Sequence, residues 1–567
     1  MRRPPWLSRR VSGWTALGVA ALLLLASLMA GRASVSLFTD RAPRPLRTVP
    51  HTDVNPYGAN FFLQLEAESW KIDKSLELAR EAGLGWVKQH FPWEDIELRK
   101  GKFFDDRLNK STWEKYDRIV ETARKYNLQI IARLDRPPPW TRQDNRVAEA
   151  PPDNFDDYGD FVAAFVERYR ADIRYYQIWN EPNIYPEWGD RPVDPAAYTR
   201  LLRVAATRAR AVDPGVRILA APLAQTLERS PRNLTELEYL DAMYRAGARD
   251  WFDIALANGY GFERPPEDPP DPGVLNFQRI LLLREVMERH GDTEKPVWFN
   301  EFGWNAAPED FGSDRLPWRR VPEALQAEWS VRAIQLARSQ WAWVGVVNIW
   351  YFRQPGNIPP GRADYYFRMV DVGFTPRPLF AAVKRATAGM AIAQPGSYQE
   401  SHPAVTYQGA WLTRARNLYS GHQAIASNIE GDNATITFRG TGVHIIISRD
   451  PEAPLMYVTL DGREANRLPR DREGRSYADL FSASTRPRDL LTIAQGLADT
   501  EHVVRLTVGR GTAPPGRAPH LVLDGFIVEG GTGNDLLDLL TLYGPAAAAV
   551  LLASVGLRLL LRRPASA

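Results

Sequence analysis

Two glutamates, Glu181 and Glu301, are the residues of this chain best placed to do chemistry. Residues 179–183 read WNEPN and residues 298–304 read WFNEFGW, and each glutamate stands at the end of a short apolar run. Such runs are typical of strands buried on both faces of a parallel sheet. An ionised carboxylate beside aromatic residues at a strand end is costly unless its charge is used. We therefore predict an acid and a nucleophile that face one substrate atom.

The sequence around these motifs alternates between strand and helix patterns over residues 56–390. Eight apolar runs, each followed by an amphipathic stretch, predict an α/β fold, a (β/α)8 TIM barrel. An open doubly wound sheet is the alternative, but no glycine-rich phosphate turn follows the first strand. The predicted strands are residues 58–63, 85–91, 129–134, 174–180, 217–222, 252–258, 296–301 and 344–350.

The barrel prediction brings the two glutamates together. Glu181 follows the fourth predicted strand and Glu301 ends the seventh. The carboxyl ends of all eight strands meet at one face of such a barrel, where active sites are built. We therefore expect the two carboxyl groups to lie about 5–5.5 Å apart in one cleft, the separation that a double displacement requires.

Neighbouring residues suit the cleavage of a glycosidic bond, which needs one protonated and one ionised carboxyl group. Asn180 could hold a substrate hydroxyl group. Tyr260, just beyond the sixth strand, could donate its hydroxyl to Glu301 and help to keep that residue charged. An isolated Asn-Glu-Pro tripeptide recurs by chance, often at a helix start, so the pair of motifs is more informative than either alone.

The two motifs resemble the acid/base and nucleophile motifs of retaining clan A glycoside hydrolases. Residues 93–97 (WEDIE), 139–140 and 373–378 resemble further parts of these enzymes, and the resemblance covers about residues 55–390. It is nearest to the family 39-like and family 5-like branches, which include bacterial exopolysaccharide endoglycosidases. The resemblance implies that Glu181 is the general acid/base, that Glu301 is the nucleophile and that configuration is retained. Residues 258–260 (NGY) depart from it, because they lack the histidine often found on the sixth strand.

Several other residues near strand ends are candidates for substrate binding. Trp350, at the end of the eighth strand, resembles the sugar platform of many clan members, with barrel packing as the alternative. Trp140 and Trp304 lie on loops that follow strands and could stack on sugar rings or pack in the core. His90 and Arg133 lie near the ends of the second and third strands, and His90 is expected to form hydrogen bonds rather than to catalyse. No His, Asp or Glu spacing indicates a metal site, and no cofactor is expected.

Residues 398–530 predict a second domain of a different type. The helical pattern stops after Gly396, and short β-rich segments separated by glycine-containing turns follow. This pattern predicts an antiparallel β-sandwich or jelly roll. The segment resembles the β-sandwich modules appended to glycosidases, some of which bind carbohydrate. Trp411 and Tyr419 are candidates for ligand contact, although a spacer between barrel and membrane is the favoured role.

Both ends of the chain contain a stretch that could span a membrane. Residues 11–31 carry no charge over 21 positions, and residues 539–557 none over 19. Either stretch could cross a hydrocarbon core of about 30 Å as a helix. Four arginines precede the first stretch and three follow the second, so the tails, residues 1–10 and 558–567, are expected in the cytosol. A linker at residues 32–55 would then join the first span to an extracytoplasmic barrel at the cell membrane.

Each span has an alternative interpretation. The first stretch could be a cleaved signal peptide, because small residues follow it, although it is long for a signal sequence. The second could be a buried helix of a globular domain. The orientations derived from the two arginine clusters agree with each other, which favours two membrane anchors.

The amino-acid composition argues against several classes of protein and site. A chain of 567 residues can hold two or three domains, and its formal charge of +3 gives no long-range field for binding nucleic acid. The absence of cysteine excludes disulfides, thiolate metal sites and a cysteine nucleophile. The 18 Trp and 21 Tyr residues offer flat rings to the apolar faces of sugars, although most are expected in the core.

Taken together, these features predict a membrane-anchored retaining glycosidase that acts on an extracellular polysaccharide or oligosaccharide. A non-catalytic carbohydrate-binding or scaffolding protein on the same barrel is one alternative. A transglycosylase, which forms the same covalent intermediate but excludes water, is another. The residue pattern does not separate hydrolysis from transfer, because that difference lies in the subsites for the acceptor.

Overall fold

The computed structural model describes residues 49–52, 54–415, 418–420, 423–509 and 520–530. Within these ranges the chain forms an α/β barrel followed by an antiparallel β domain. None of the helices in this part of the chain combines the length and apolar character needed to cross a bilayer. The two predicted spans, residues 11–31 and 539–557, and the two tails lie outside the described residues.

Eight parallel strands form the barrel, as the sequence predicts. They are β1 (Tyr57–Phe61), β2 (Trp86–Pro92), β3 (Gln129–Asp135), β4 (Tyr175–Ile178), β5 (Arg217–Ala220), β6 (Ala255–Tyr260), β7 (Val297–Gly303) and β8 (Val344–Ile349). The hydrogen-bonded order is β5-β4-β3-β2-β1-β8-β7-β6. Bridges from Leu219 to Ile254 and from Leu223 to Ala257 close the ring between β5 and β6.

A helix follows each strand and covers the outside of the barrel. The helices are α1 (Ser69–Glu81), α2 (Glu114–Lys125), α3 (Phe155–Tyr169), α4 (Pro195–Val212), α5 (Glu236–Arg245), α6 (Ile280–Arg289), α7 (Glu323–Gln340) and α8 (Pro378–Ala388). Local sequence explains where α4 begins. The side chain of Asp194 accepts a hydrogen bond from the Ala197 amide, and Pro195 occupies the first helical position of α4, where its missing N–H costs nothing.

The inside of the barrel has an apolar layer beneath a polar one. The apolar layer includes Trp86, Tyr175, Leu256, Trp298 and Val346. Side chains alternate along a strand, so the next residues that point inward are two positions further on. Those residues are Lys88, Gln177, Asn258, Asn300 and Asn348, and all of them are buried.

An irregularity in β7 determines where Glu301 points. In the pairing of β7 with β6, Phe299 lies opposite Ala257 and Glu301 lies opposite Asn258. Two steps along β7 thus match one step along β6, which leaves one extra residue in β7 and defines a β-bulge. Strict alternation would send Glu301 to the same side as Phe299. The bulge instead places Asn300 and Glu301 in succession on the inner face.

Contacts on both sides of the strand hold this bulge. The Phe299 ring stacks on Phe277 outside the barrel, with ring centroids 5.1 Å apart. Two inner amides donate to the main chain of the bulge, Asn348 Nδ2 to the Phe299 carbonyl at 2.8 Å and Asn60 Nδ2 to the Asn300 carbonyl at 3.0 Å. Two polar carbonyls inside the barrel are thereby satisfied, as buried backbone groups require.

The second domain is the predicted antiparallel β-sandwich. Its strands are β9 (Gly396–Gln399), β10 (Val405–Gln408), β11 (Leu412–Ala415), β12 (Gln423–Ser427), β13 (Asn433–Arg449), β14 (Leu455–Leu460), β15 (Arg463–Glu464), β16 (Tyr477–Asp479), β17 (Arg486–Val508) and β18 (Leu521–Glu529). The long strands β13 and β17 pair along most of their length, and β18 joins β13 only from Gly442 onward. The sheet therefore folds over on itself around one core that contains Ile436, Ile445 and Phe526.

The two aromatic residues of this domain that were candidates for ligand contact are at least partly buried. Tyr419, a candidate for ligand contact, is buried, and Trp411 is partly buried with its ring 5.1 Å from that of Tyr407.

Strand β9 pairs antiparallel with β18, with Gly396 opposite Val528. The chain therefore enters and leaves the domain at neighbouring points.

A buried ion pair anchors the loop that follows β6 at the rim of the barrel. Arg279 and Glu236 are each 2% exposed, and the Arg279 Nε donates to the Glu236 carboxylate. Arg279 Nη1 also donates to the carbonyls of Asp271, Pro272 and Val274, at 3.1, 2.7 and 3.2 Å. One guanidinium thus joins this loop to the start of α5.

Replacing Glu236 with Ala should leave the Arg279 charge buried without its carboxylate. We expect a loss of about 3–5 kcal/mol in the free energy of unfolding, measured by urea denaturation. The control is Glu77→Ala, which removes the exposed pair of Lys74 and Glu77 and should have a much smaller effect. Equal losses of stability in the two variants would show that the buried pair contributes no more to the free energy of unfolding than the exposed pair does.

Candidate active site

The backbone around Glu181 is held in an unusual conformation at the end of β4. Trp179 and Glu181 have φ values of 73° and 37°, in the left-handed region that residues other than glycine seldom adopt. Hydrogen bonds to the neighbouring strands support the turn, from the Trp179 amide to the Leu134 carbonyl and from the Glu181 amide to the Pro222 carbonyl, both at 3.1 Å. Interactions on both sides of β4 therefore fix the direction of the Glu181 side chain.

The surroundings of Glu181 favour its protonated form. Burial, followed by the negative charges of Glu301 and Glu187, raises the pKa of Glu181 to about 8. Asn258 Nδ2 donates to Glu181 Oε1. Asn258 Oδ1 in turn accepts a hydrogen bond of 2.9 Å from Asn300 Nδ2. At neutral pH, a carboxyl group with this pKa holds its proton and can act as an acid.

Glu301 has a different set of neighbours. Lys88 Nζ lies 3.3 Å from Glu301 Oε1, and the hydroxyl of Tyr260 donates to Oε2 at 2.9 Å, as the sequence predicts. Glu301 is 7% exposed and Lys88 only 3%. Burial lowers the pKa of Lys88 to about 8, with the charge of Glu301 acting in the opposite direction. Both oxygens of Glu301 thus receive donors, an arrangement that suits a carboxylate.

The two glutamates therefore share one pocket in unequal environments. They are close enough for the charge of Glu301 to raise the pKa of Glu181. Two carboxyl groups near each other do not both ionise easily, and the donors determine which of them is charged. Lys88 and Tyr260 direct donors at Glu301, and burial with nearby negative charge favours the proton on Glu181, which suits a nucleophile and an acid.

A charged cluster lies at the ends of β2 and β3. Asp135 accepts a 2.6 Å hydrogen bond from Arg133 Nε, and its other carboxylate oxygen contacts His90 Nε2. Burial lowers the pKa of His90, with the charge of Asp135 opposing this shift. His90 and Arg133 are both partly exposed, so their role in binding substrate remains a prediction. Neither here nor elsewhere among the described residues could a group of three or more His, Asp or Glu side chains hold a metal ion.

Aromatic residues form the side of the pocket near β6 and β8. Trp350 is partly exposed, and its ring meets Phe62 edge to face with centroids 5.7 Å apart. The ring of Tyr260 packs against Trp318 at 6.1 Å and against Phe367 at 5.5 Å. Trp350 is thus placed where a sugar platform is expected, and its contact with substrate stays a prediction.

Other residues predicted to bind substrate are more enclosed. Trp304 is 1% exposed, and its indole donates to the Arg264 carbonyl at 2.8 Å. The prediction that Trp304 stacks on a sugar is therefore wrong for this structure, because neither face of the ring is free. Trp140 is partly buried and donates to the main chain of a preceding loop. Asn180 is 3% exposed, and its Oδ1 lies 3.4 Å from the Gln177 amide.

Four polar residues of the site were not predicted from the sequence. Lys88 and Asn258 could have been found, because each is a polar residue two positions after an inward apolar residue of a predicted strand. Asp135 directly follows the third predicted strand, where a carboxylate at a barrel strand end is a candidate for function. Glu187 lies in the loop after β4, and no sequence pattern indicates that it approaches Glu181.

No family model matches the chain, and no curated protein matches it. Solved structures similar to it include a family 39 glycoside hydrolase from Bacteroides cellulosilyticus WH2, at 17% identity over 82% of this chain and 83% of that chain, with a TM-score of 0.43. A GH39 β-xylosidase from Caulobacter crescentus is similar at 16% identity over 82% and 98%, with a TM-score of 0.44. GH5_18 from Streptomyces cattleya is similar at 15% identity over 62% and 84%, with a TM-score of 0.45.

The substitution Glu301→Gln should lower the pKa of Glu181, because it removes a negative charge that raises this pKa. The measurement is ¹³C NMR of protein labelled at the glutamate δ-carbon, with the Glu181 resonance assigned by its loss in Glu181→Gln. Glu77→Gln, on the exposed side of α1, is the control and should leave the pKa unchanged. An unchanged pKa in Glu301→Gln would show that the two carboxyl groups do not interact.

Proposed function

We propose that this chain is a retaining glycoside hydrolase that cleaves O-glycosidic bonds by double displacement. The observation that carries the proposal is the unequal pair at the end of the barrel. Burial and neighbouring negative charge favour the protonated form of Glu181. Glu301 receives hydrogen bonds from Lys88 and Tyr260. An acid and a nucleophile in one pocket are what this reaction uses.

In the first step, Glu181 gives its proton to the glycosidic oxygen as the bond between that oxygen and the anomeric carbon breaks. Glu301 attacks the anomeric carbon and forms a covalent glycosyl ester. The ester carries no negative charge, so the repulsion that raised the pKa of Glu181 is removed at the moment when Glu181 becomes ionised. The total charge of the pair stays constant through the step.

In the second step, the ionised Glu181 takes a proton from water while the water oxygen attacks the anomeric carbon. The ester bond breaks, and Glu301 regains its charge beside Lys88 and Tyr260. The returning charge raises the pKa of Glu181 again and restores the acid. Two inversions at one carbon retain its configuration.

We further propose that the substrate is an extracellular polysaccharide or oligosaccharide and that the chain is held in the cell membrane through both ends. The uncharged stretches at residues 11–31 and 539–557, each with arginines on its outer flank, support this arrangement. Protease treatment of intact cells tests it, because a barrel on the cytosolic side would stay protected.

The substitutions Glu181→Ala and Glu301→Ala should each lower turnover by roughly 10³-fold or more, as expected for the loss of an essential group. The assay incubates the chain with a panel of β-glycan oligosaccharides and aryl glycosides and follows products by mass spectrometry. Azide should rescue Glu301→Ala and give a glycosyl azide of inverted configuration, because azide replaces the missing nucleophile. Glu77→Ala serves as the unaffected control.

The products distinguish the alternatives. Sugars joined to new acceptors without release of free reducing ends would identify a transglycosylase. Binding of oligosaccharides with no turnover of any substrate would favour the non-catalytic alternative. Unchanged turnover in both glutamate variants would place the reaction at another site.

The rate should also depend on pH in a defined direction. The first step needs protonated Glu181, so kcat/KM should fall as the pH rises through about 8, the pKa of that group. A profile of kcat/KM against pH measures this limb. In Glu181→Ala the alkaline limb should disappear, and its persistence would assign the limb to a different group.

A further inference from the structure

We propose that Asn258 is a positioning residue that strengthens Glu181 as an acid and fixes which of its carboxyl oxygens carries the proton. The inference rests on the proposed function and adds a role for a residue on β6 that neither the motifs nor the resemblance assigns.

The inference begins with a chain of three side chains across the barrel. Asn300 Nδ2 donates to Asn258 Oδ1 at 2.9 Å, and Asn258 Nδ2 donates to Glu181 Oε1. Asn300 is fully buried and Asn258 nearly so. An amide has one oxygen and one NH₂ group, so an Asn258 whose oxygen faces Asn300 must turn its donor toward Glu181. Asn300 points inward two positions after Trp298, and the bulge that follows it turns Glu301 inward as well.

The donor from Asn258 determines where the proton of Glu181 resides. Oε1 accepts a hydrogen bond from an N–H group, so a proton on the same oxygen would oppose that bond. The acid proton is therefore assigned to Oε2. Among the residues that the structure describes, Asn258 is the one hydrogen-bond donor to the Glu181 side chain.

Other groups around Glu181 act through charge rather than by a hydrogen bond. They come from neighbouring strands and from the loop after β4. These groups are Lys88, Arg133, Glu187 and Glu301.

The Asn258 donor matters most when Glu181 loses its proton. The resulting negative charge is shared by both oxygens, and a hydrogen bond to one of them stabilises the ionised form. This contact opposes the effect of burial and of the nearby carboxylates, so the acid releases its proton to the leaving oxygen more readily. Substrates with poor leaving groups depend on that proton, whereas substrates with very good leaving groups do not.

The first test measures the pKa of Glu181 by ¹³C NMR in the full chain and does not require a substrate. Asn258→Ala should raise this pKa by about one unit, because a hydrogen bond to the charged form is lost. Asn276→Ala, another fully buried asparagine whose amide bonds lie within the loop after β6, is the matched control and should cause no shift. A lowered pKa would mean that the amide accepts the acid proton, and an unchanged pKa would mean that the contact has no effect. Either result would overturn the inference.

A second variant covers the case in which Asn258→Ala does not fold. Asn300→Ala leaves Asn258 in place but removes the donor that orients its amide, so the pKa of Glu181 should rise by a smaller amount. No shift in the folded Asn300→Ala protein would contradict the proposed chain of hydrogen bonds.

The kinetic test compares two leaving groups on the sugar that the chain hydrolyses. With a sugar or alkyl leaving group, Asn258→Ala should lower kcat/KM by about fivefold to tenfold, because a pKa change of one unit corresponds to at most a tenfold change in rate. With a 2,4-dinitrophenyl leaving group the loss should stay below about threefold, because that group departs without protonation. Equal losses for both would indicate general damage to the pocket and overturn the inference. If no glycoside is turned over, the proposed function fails, while the NMR result still decides the role of Asn258.

Discussion

The main constraint at the carboxyl end of this barrel is the repulsion between two carboxyl groups, that of Glu301, which is buried, and that of Glu181, which is partly exposed. Glu181 and Glu301 share a pocket in which ionising both is unfavourable, and the surrounding donors select the one that is charged. A lysine and a tyrosine hydroxyl contact Glu301, whereas Glu181 receives one amide donor. Charge can therefore move from Glu301 to Glu181 when a bond forms at Glu301 and return when that bond breaks. In the proposed reaction, this exchange removes the need for any other group to change its protonation state.

The two carboxyl groups require polar residues in the interior of the barrel, where apolar packing would otherwise stabilise the fold. A layer of amide and ammonium groups replaces apolar packing directly above the aromatic layer, and buried polar groups require partners. The structure supplies partners through the inner amides of Asn60 and Asn348, which bond to the main chain of β7, and through the pair of Asn258 and Asn300. Asn60 and Asn348 thus satisfy the irregular strand, while Asn258 contacts the carboxyl group of Glu181. A mutation in this layer would disturb both folding and the site.

The sequence was sufficient to predict the barrel, because each buried strand is a short apolar run and each helix an amphipathic one. It was also sufficient to predict that Glu181 and Glu301 meet, because both lie at strand ends that converge in such a fold. The bulge at Asn300 could not be predicted, since it arises from pairing between strands and leaves no local pattern. The same holds for Glu187, which reaches Glu181 from a loop.

Trp304 shows why an aromatic residue on a loop is a weak indicator of sugar binding. Its indole lies against Gly261, where even a single methyl group would be 2.0 Å from the ring. The missing side chain at position 261 creates the space that the ring fills. The sequence around such a tryptophan does not show whether its ring binds a sugar or fills a space beside a glycine. That becomes clear only when the residue facing the ring is known.

The pairing of β9 with β18 has a consequence for how the barrel is held. Since Gly396 lies opposite Val528, the polypeptide comes back to the place where it entered the sandwich, and Gly530 lines a cavity together with Tyr57 and Met390 of the barrel. The sandwich is thus a side branch and not a stalk, and its length adds nothing to the reach between the barrel and any C-terminal anchor. Under the membrane anchoring proposed above, the barrel would therefore act close to the lipid surface, on glycan near the bilayer.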